Sequence, residues 1–343
     1  MSRAPVLATP VPFVHARVRM TPLRIYVDFV PPPQAMALLR EAAAGHELLF
    51  ARNPTASVLA KAERDPQIDT ADIAFGQPDT GAVLGSPRLR WVHVSSSGIT
   101  RYDTPEVLQT LRARGVLLSN SASVYAEACA LQSLAFLLAQ SRVLPRALAS
   151  RTPNGSPEWN DLRRSCVPPR GQRILIVGFG AIARRLAEFL RPLGPEIVAH
   201  RRHPRGDEGI PVVGPEGLAD ALAWADHVVD ILPESGETRG FFGAERFATM
   251  KRGVVFQNIG RGATVDQDAL LAALRSGHVA AAWLDVTSPE PLPDGHPLLS
   301  EPNCHITPHI AGGHADESVT LVRHFAENLA RFVAGVALSD RVA

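Results

Sequence analysis

Two doubly wound α/β domains in one chain are what this sequence predicts, and three observations carry that expectation. The chain has 343 residues, which at about 150 per domain leaves room for two. Short apolar runs alternate with stretches of helical period, the pattern of parallel strands joined by helical crossovers. That alternation occurs twice, on either side of a stretch rich in Pro, Gly and Asn at 145–171.

The first series opens with an apolar run at 23–30, a helix at 34–44 and strands at 47–51, 71–75 and 91–94. A helix at 105–114 and a strand at 116–119 complete it. Residues 125–142 then read as a long, largely apolar helix, and 145–171 as a loop. The second series has strands at 174–177, 197–200, 227–230, 254–258, 280–284 and 304–307, with helices between most of them and a last helix at 315–333. Residues 1–20 carry Arg3, Arg17 and Arg19 without an acid and are cut by Pro5, Pro10 and Pro12. They read as a loose leader or an over-long start ahead of Met20, with a transit peptide as the alternative.

Composition narrows the function classes. Lys and Arg total 35 against 34 Asp and Glu, a net charge of +1, so no global field draws nucleic acid or an anionic membrane. Neither partner is expected. Apolar residues at 45% suit a globular chain rather than a disordered one. The apolar stretch 128–139 falls short of the ~20 residues that span a bilayer. Cys129, Cys166 and Cys304 are too scattered for a disulfide framework or a metal site; they read as buried small hydrophobes in a reducing, cytoplasmic setting.

The sharpest local signal is Ile174 to Ile182, ILIVGFGAI, in which Gly178, Gly180 and Ala183 form a G-x-G-x-x-A element leaving an apolar strand. Ile182, Leu186, Phe189, Leu190 and Leu193 follow at helical spacing, and Gly194 stops the helix. Strand, turn and helix together read as a Rossmann fingerprint, with a plain tight βα turn as the alternative: Gly178 allows the tight turn, Gly180 lets backbone N–H groups reach a pyrophosphate, and Ala183 permits close packing. Ala181 and Ile182, at the helix start, share that contact. NAD binders usually carry an acid at the end of the next strand for the ribose 2′-hydroxyl. This strand ends His200-Arg201-Arg202. Two guanidiniums there suit a 2′-phosphate, so NADP is expected over NAD, with NAD possible. The alternative is a solvated basic turn, since His203 and Arg205 continue the run.

Three further segments complete a pattern: Asn258-Ile-Gly-Arg-Gly-Ala-Thr-Val-Asp266, Leu284-Asp-Val-Thr-Ser-Pro-Glu-Pro-Leu-Pro293 followed by His296-Pro-Leu, and Asn303-Cys-His-Ile-Thr-Pro-His-Ile-Ala-Gly312. With Met250-Lys251 and 233–238, they resemble the D-isomer-specific 2-hydroxyacid dehydrogenase family, of the glyoxylate and hydroxypyruvate reductase kind. The match is dense over 171–313 and looser over 23–142.

That resemblance implies a Rossmann cofactor domain at 126–314, a flavodoxin-like substrate domain at 20–125 plus 315–343, and an active site in the cleft between them. It implies hydride transfer between nicotinamide C4 and C2 of a small 2-keto or 2-hydroxy acid, with Arg261, Glu290 and His309 as the catalytic residues. Each has chemical sense. A planar guanidinium suits a carboxylate beside a carbonyl, an imidazole titrates where a proton must be delivered, and a carboxylate favours and orients its charged form. Leu232, Pro233, Thr238, Ile259, Asp285 and His309 would line the cofactor. Ser97 and Gly98, in Val94-Ser-Ser-Ser-Gly-Ile-Thr100, would hold the substrate carboxylate together with Arg261 and His309, and the loop Phe75-Gly-Gln-Pro78 would border the pocket. No metal site is expected.

Where many members have Ala-Glu-His in the hinge helix, this chain reads Ala130-Leu131-Gln132, which removes a charged pair. Prolines number 29, and Pro233, Pro289, Pro291, Pro293, Pro297 and Pro308 fall in the motif segments, where fixed φ holds a loop before substrate arrives. A homodimer is expected by analogy. Two other readings stand beside the reductase: a nicotinamide-sensing interaction protein resembling a co-repressor, and a formate- or phosphite-type dehydrogenase on the same fold.

Overall fold

Strands of an all-parallel sheet are buried on both faces and so require nearly continuous apolar runs; both sheets of this protein are built from such runs. The computed structural model describes residues 21–55 and 60–343, so the expected leader at 1–20 lies outside the described residues. The first series folds into a five-stranded sheet of β1 (Arg24–Val27), β2 (Glu47–Phe50), β3 (Ile73–Gly76), β4 (Trp91–Val94) and β5 (Leu117–Ser119). All pairs are parallel and the order is β2-β1-β3-β4-β5, the flavodoxin-like order.

The second series forms a seven-stranded sheet of β6 (Arg173–Val177), β7 (Glu196–His200), β8 (Val212–Val213), β9 (His227–Asp230), β10 (Val254–Asn258), β11 (Val279–Leu284) and β12 (Cys304–Ile306). Its order, β12-β11-β10-β9-β6-β7-β8, is the Rossmann arrangement with β12 added at one edge. The order reverses between β6 and β9. Ligand crevices of open α/β sheets lie beyond the strand ends at such a point.

The chain's return fixes the first domain's core. The helix Glu317–Val333 lays Leu321, Val322, Phe325 and Leu329 against Ile25, Val27, Leu39, Phe75 and Trp91. Phe325 stacks on Phe75 with ring centroids 4.1 Å apart, a packed ring whose loss would leave a cavity costing about 3–5 kcal/mol. The terminal segment then pairs with the sheet edge, Val342 N–H donating to the Leu118 carbonyl at 2.8 Å.

The helix Ala122–Ser141 links the two sheets. Ser133 Oγ donates to Gln257 Oε1 on β10 at 2.7 Å, and Trp283 on β11 donates to Gln140 at 3.0 Å. Among the described residues this helix is long and apolar enough to cross a membrane by length and composition, which the shorter run at 128–139 did not foreshadow. One face packs on the cofactor domain, with Cys129, Ala130, Phe136 and Leu137 against Ala183, Leu186 and Leu190 of the helix Ala181–Leu190, while Leu131 and Leu138 stay exposed. One turn before the Ala130-Leu131-Gln132 segment, Glu127 of the same helix pairs with Arg185 at 3.1 Å.

Other expectations need correction. The run at 23–30 yields a strand only to Val27, since the consecutive Pro31, Pro32 and Pro33 cannot extend a ladder and instead start the helix Pro33–Ala42. The stretch at 145–171 is not one loop. Pro157 begins the helix Pro157–Arg164, whose Ser156 side chain accepts the Trp159 N–H, and Leu144–Ala149 forms another short helix. Of the three cysteines only Cys129 is buried; Cys166 follows a short surface helix and Cys304 opens an edge strand, so both are partly exposed.

Candidate active site

Strand ends place the candidate site residues. β10 ends at Asn258, whose side chain accepts the Gly260 N–H at 2.9 Å and donates to the Arg261 carbonyl at 3.0 Å, closing the turn that presents Arg261. Only glycine fits on either side. A Cβ on Gly260 would lie 2.5 Å from the Leu232 carbonyl oxygen, and one on Gly262 2.0 Å from the Thr287 backbone. The Arg261 turn is thereby pressed against the segment that carries Glu290.

β11 ends just before Asp285, which is buried at 1% exposure and accepts three hydrogen bonds from the loop after β12. Thr307 Oγ1 donates at 2.6 Å, and the N–H groups of Ile310 and Ala311 at 3.0 and 2.8 Å. Asp285, expected beside the nicotinamide, thus anchors the loop of His309. His309 itself sits at φ 53° with its N–H on the Asp285 carbonyl. Its Nδ1 lies 2.6 Å from Glu290 Oε1. Because that carboxylate accepts, Nδ1 carries the proton and Nε2 is left for the cleft.

Arg261 reaches across to the first domain. A Cβ built on Gly98 would lie 2.3 Å from Arg261 Nη2, so the guanidinium rests directly on the serine-rich loop after β4. Burial pulls its pKa down from the ordinary arginine value while Glu290 and Glu234 support the charge. The loop turns its carbonyls inward: Ser96 O accepts from Ser121 N–H, Ser97 O from Asn120 Nδ2 at 2.7 Å, and Gly98 O from Ser96 Oγ at 2.6 Å. Among the described residues no acceptor takes the N–H of Ser97 or Gly98. Gln77 braces the loop through Ser95 and Ser96 at 3.2 and 2.9 Å. Cys129, also near Arg261, has its thiol pushed up to about 12 by burial and by Asp285, so it packs as a neutral side chain.

The cofactor crevice fits a dinucleotide. Gly178 has φ 96°, and a Cβ there would meet the Ile231 carbonyl oxygen at 2.9 Å. The following helix starts at Ala181 with no side-chain cap and no acid in its first turn, leaving backbone donors for a pyrophosphate. Ile182 is half-buried and Ala183 fully buried against the sheet. Leu232 and Ile259 are buried at the crevice and Pro233 is exposed beside them. Thr238 Oγ1 donates to the Pro233 carbonyl at 2.6 Å and so shapes that loop rather than standing free.

Arg201 and Arg202 are not a bare basic turn. Arg201 pairs at 3.1 Å with Glu208, a buried acid that also accepts the N–H groups of Arg205 and Gly206. Arg202 pairs with Glu237 from the opposite lip, and both side chains of that pair are exposed. The sequence reading missed both acids. Glu208 lies seven residues beyond Arg201 in a turn-rich segment, and nothing in that spacing tells how the loop closes.

The chain is similar in sequence and in fold to known proteins. The profile of the D-isomer specific 2-hydroxyacid dehydrogenase NAD binding domain matches residues 134–311. A glyoxylate reductase/hydroxypyruvate reductase of Mus musculus is 33% identical over 256 residues, covering 74% of this chain and 77% of the relative. A glyoxylate reductase of Aeropyrum pernix is 32% identical over 291 residues, or 82% and 84%. Among solved structures, a D-isomer specific 2-hydroxyacid dehydrogenase from Xanthobacter autotrophicus Py2 in complex with NADPH and MES aligns with a TM-score of 0.73 at 28% identity, covering 94% of this chain and 98% of that one.

Proposed function

From the premise that the chain belongs to the D-isomer specific 2-hydroxyacid dehydrogenase family and is a nicotinamide-dependent oxidoreductase, we propose that it is an NADPH-preferring reductase of glyoxylate or hydroxypyruvate. The observation that carries this reading is the His309–Glu290 pair on the cofactor domain together with Arg261, which rests on the Gly98 loop of the substrate domain. The residues at 20–125 and 315–343 serve as substrate domain and 126–314 as cofactor domain.

In this reading Arg261 and the N–H groups of Ser97 and Gly98 bind the keto acid's carboxylate, and Arg261 also polarises its carbonyl. Gly178, Gly180 and the N-terminus at Ala181 hold the pyrophosphate. Bound nicotinamide supplies the hydride. His309 delivers the proton from Nε2 to the carbonyl oxygen as charge builds there, while Glu290 holds Nδ1–H and stabilises the imidazolium. A panel of 2-keto acids run with NADPH and NADH tests the proposal, and no turnover of any acid with either cofactor overturns it.

Cofactor preference falls to the two arginines. The exposed Arg202–Glu237 pair is weakly held, so a 2′-phosphate competes for Arg202 at little cost. Arg201 is held by Glu208, and an acid at 201 would repel that buried carboxylate. Arg202→Gln is therefore the cleaner test. It removes one charged hydrogen bond and is expected to weaken NADPH about tenfold or more and leave NADH unchanged, read from KM for each; equal effects would remove the arginine from the phosphate site. The NADPH held by the Xanthobacter neighbour supports the same preference.

A homodimer fits the exposed apolar side chains Leu131, Leu138, Leu144 and Leu148 along the hinge helix and its successor, joined by Val167 through a hydrogen bond to Ser141. Leu138→Asp with Leu148→Asp is expected to give monomers in sedimentation equilibrium, and an unchanged mass would place the interface elsewhere.

A further inference from the structure

Beneath the Arg261 turn lies a buried carboxyl that the proposed reaction does not use. Asp230 ends β9 with no solvent exposure. Its Oδ1 accepts the Leu232 N–H at 2.9 Å, and its Oδ2 lies 2.5 Å from Thr264 Oγ1. The same hydroxyl oxygen is 2.6 Å from the Arg261 carbonyl oxygen. Asn258 Nδ2 donates to that carbonyl at 3.0 Å and approaches the hydroxyl at 3.4 Å.

Counting protons gives the assignment. Thr264 has one hydroxyl proton and two short contacts, to Asp230 and to the Arg261 carbonyl. With Asp230 ionised, the proton serves one contact and the other brings two acceptors together. With Asp230 protonated, its O–H donates to Thr264 Oγ1, the Thr264 hydroxyl donates to the Arg261 carbonyl, and every short contact holds a proton. We propose that Asp230 is a positioning residue kept as a neutral carboxylic acid, whose proton completes the chain from Asp230 through Thr264 to Arg261 and so fixes the turn that aims the guanidinium.

The surroundings agree. β6 places Val177 and β10 places Asn258 beside Asp230, both uncharged. On β9 itself, His227 sits at the far end of the strand. The Arg261 guanidinium turns to Gly98 and to the Gly260 carbonyl, and Asp285 beyond β11 is taken up by Thr307, Ile310 and Ala311. With no cation facing it among the described residues, burial pushes the Asp230 carboxyl up to about 7. Below that pH the chain is complete. As pH rises through it the proton leaves, Thr264 turns its hydrogen to Asp230, and the Arg261 carbonyl loses a donor.

Asparagine is the informative substitute, because its amide accepts from Leu232 and donates to Thr264 at every pH. The proposal rests on Arg261 serving the reaction as described above, and the measurements separate the two ideas. Asp230→Asn is expected to keep the keto-acid KM near wild type at about pH 6 and to lack the wild-type rise above about pH 7. Thr264→Val is expected to raise that KM several-fold at all pH values with NADPH binding unchanged, and Thr264→Ser to restore it. Difference infrared spectra of the whole protein at pH 6 should show a carboxylic-acid band that Asp230→Asn removes. Absence of that band overturns the protonated state, whatever the kinetics. An active wild type whose keto-acid KM ignores Thr264→Val overturns the positioning role alone, whereas a wild type inactive on every keto acid removes the functional reading and the positioning role with it.

Discussion

Replacing His309 with Asn is expected to lower kcat for keto-acid reduction by about 10²–10⁴-fold, the span of a lost general acid, with NADPH binding nearly unchanged. The choice of Asn follows from the backbone. His309 sits at φ 53°, where asparagine is tolerated and alanine is strained, so the Asn variant removes the imidazole without disturbing the loop that Asp285 holds. Glu290→Gln keeps an acceptor for Nδ1–H but removes the charge that stabilises the imidazolium, and its loss of kcat should be smaller. Single-turnover absorbance at the reduced nicotinamide band separates chemistry from release, and cofactor fluorescence reads binding. A His309→Asn enzyme with wild-type kcat would show that protonation comes from elsewhere, and the His309–Glu290 contact would then be only a link holding two loops.

Most of the residues that the family resemblance marks lie just after strand ends whose apolar runs are easy to see, whereas Glu290 lies in the loop beyond Asp285 and its role rests on the resemblance alone. Gly178 follows β6, the Arg261 turn follows β10, Asp285 follows β11 and His309 follows β12. Parallel strands share a direction, so their C-terminal ends gather at one sheet edge, and the motifs converge without any single spacing showing it. What stayed hidden depends on loop closure and side-chain contacts. Glu208 and Glu237 pair with the two arginines from elsewhere in the chain, and the Asp230 proton is apparent only once Thr264 is seen to touch two acceptors. The short helices in 145–171 were missed for another reason. Its prolines and glycines read as loop signals, yet Pro157 sits at a helix start, where its missing N–H costs nothing.

Arg261→Lys is expected to cut kcat/KM for the keto acid by about 10²–10³-fold, comparable with losing a preorganised donor at a developing oxyanion. Charge alone is not what the site supplies. The guanidinium is planar, is fixed by Nη1 on the Gly260 carbonyl at 2.7 Å, and lays Nη2 against Gly98. A lysine ammonium keeps the cation but cannot face carboxylate and carbonyl together. Gly98→Ala approaches the same contact from the other domain: its Cβ would lie 2.3 Å from Nη2, a clash the flexible arginine relieves by moving away. That variant should fold with stability within about 1 kcal/mol of wild type and yet raise the keto-acid KM. Gly262→Ala, whose Cβ would lie 2.0 Å from the Thr287 backbone, has no such escape and should lower thermal stability as well. Steady-state kinetics beside thermal melts distinguishes the three. If Gly98→Ala leaves KM untouched while Arg261→Lys is severe, the guanidinium works away from the Gly98 loop, and the carboxylate site must be sought deeper in the cleft.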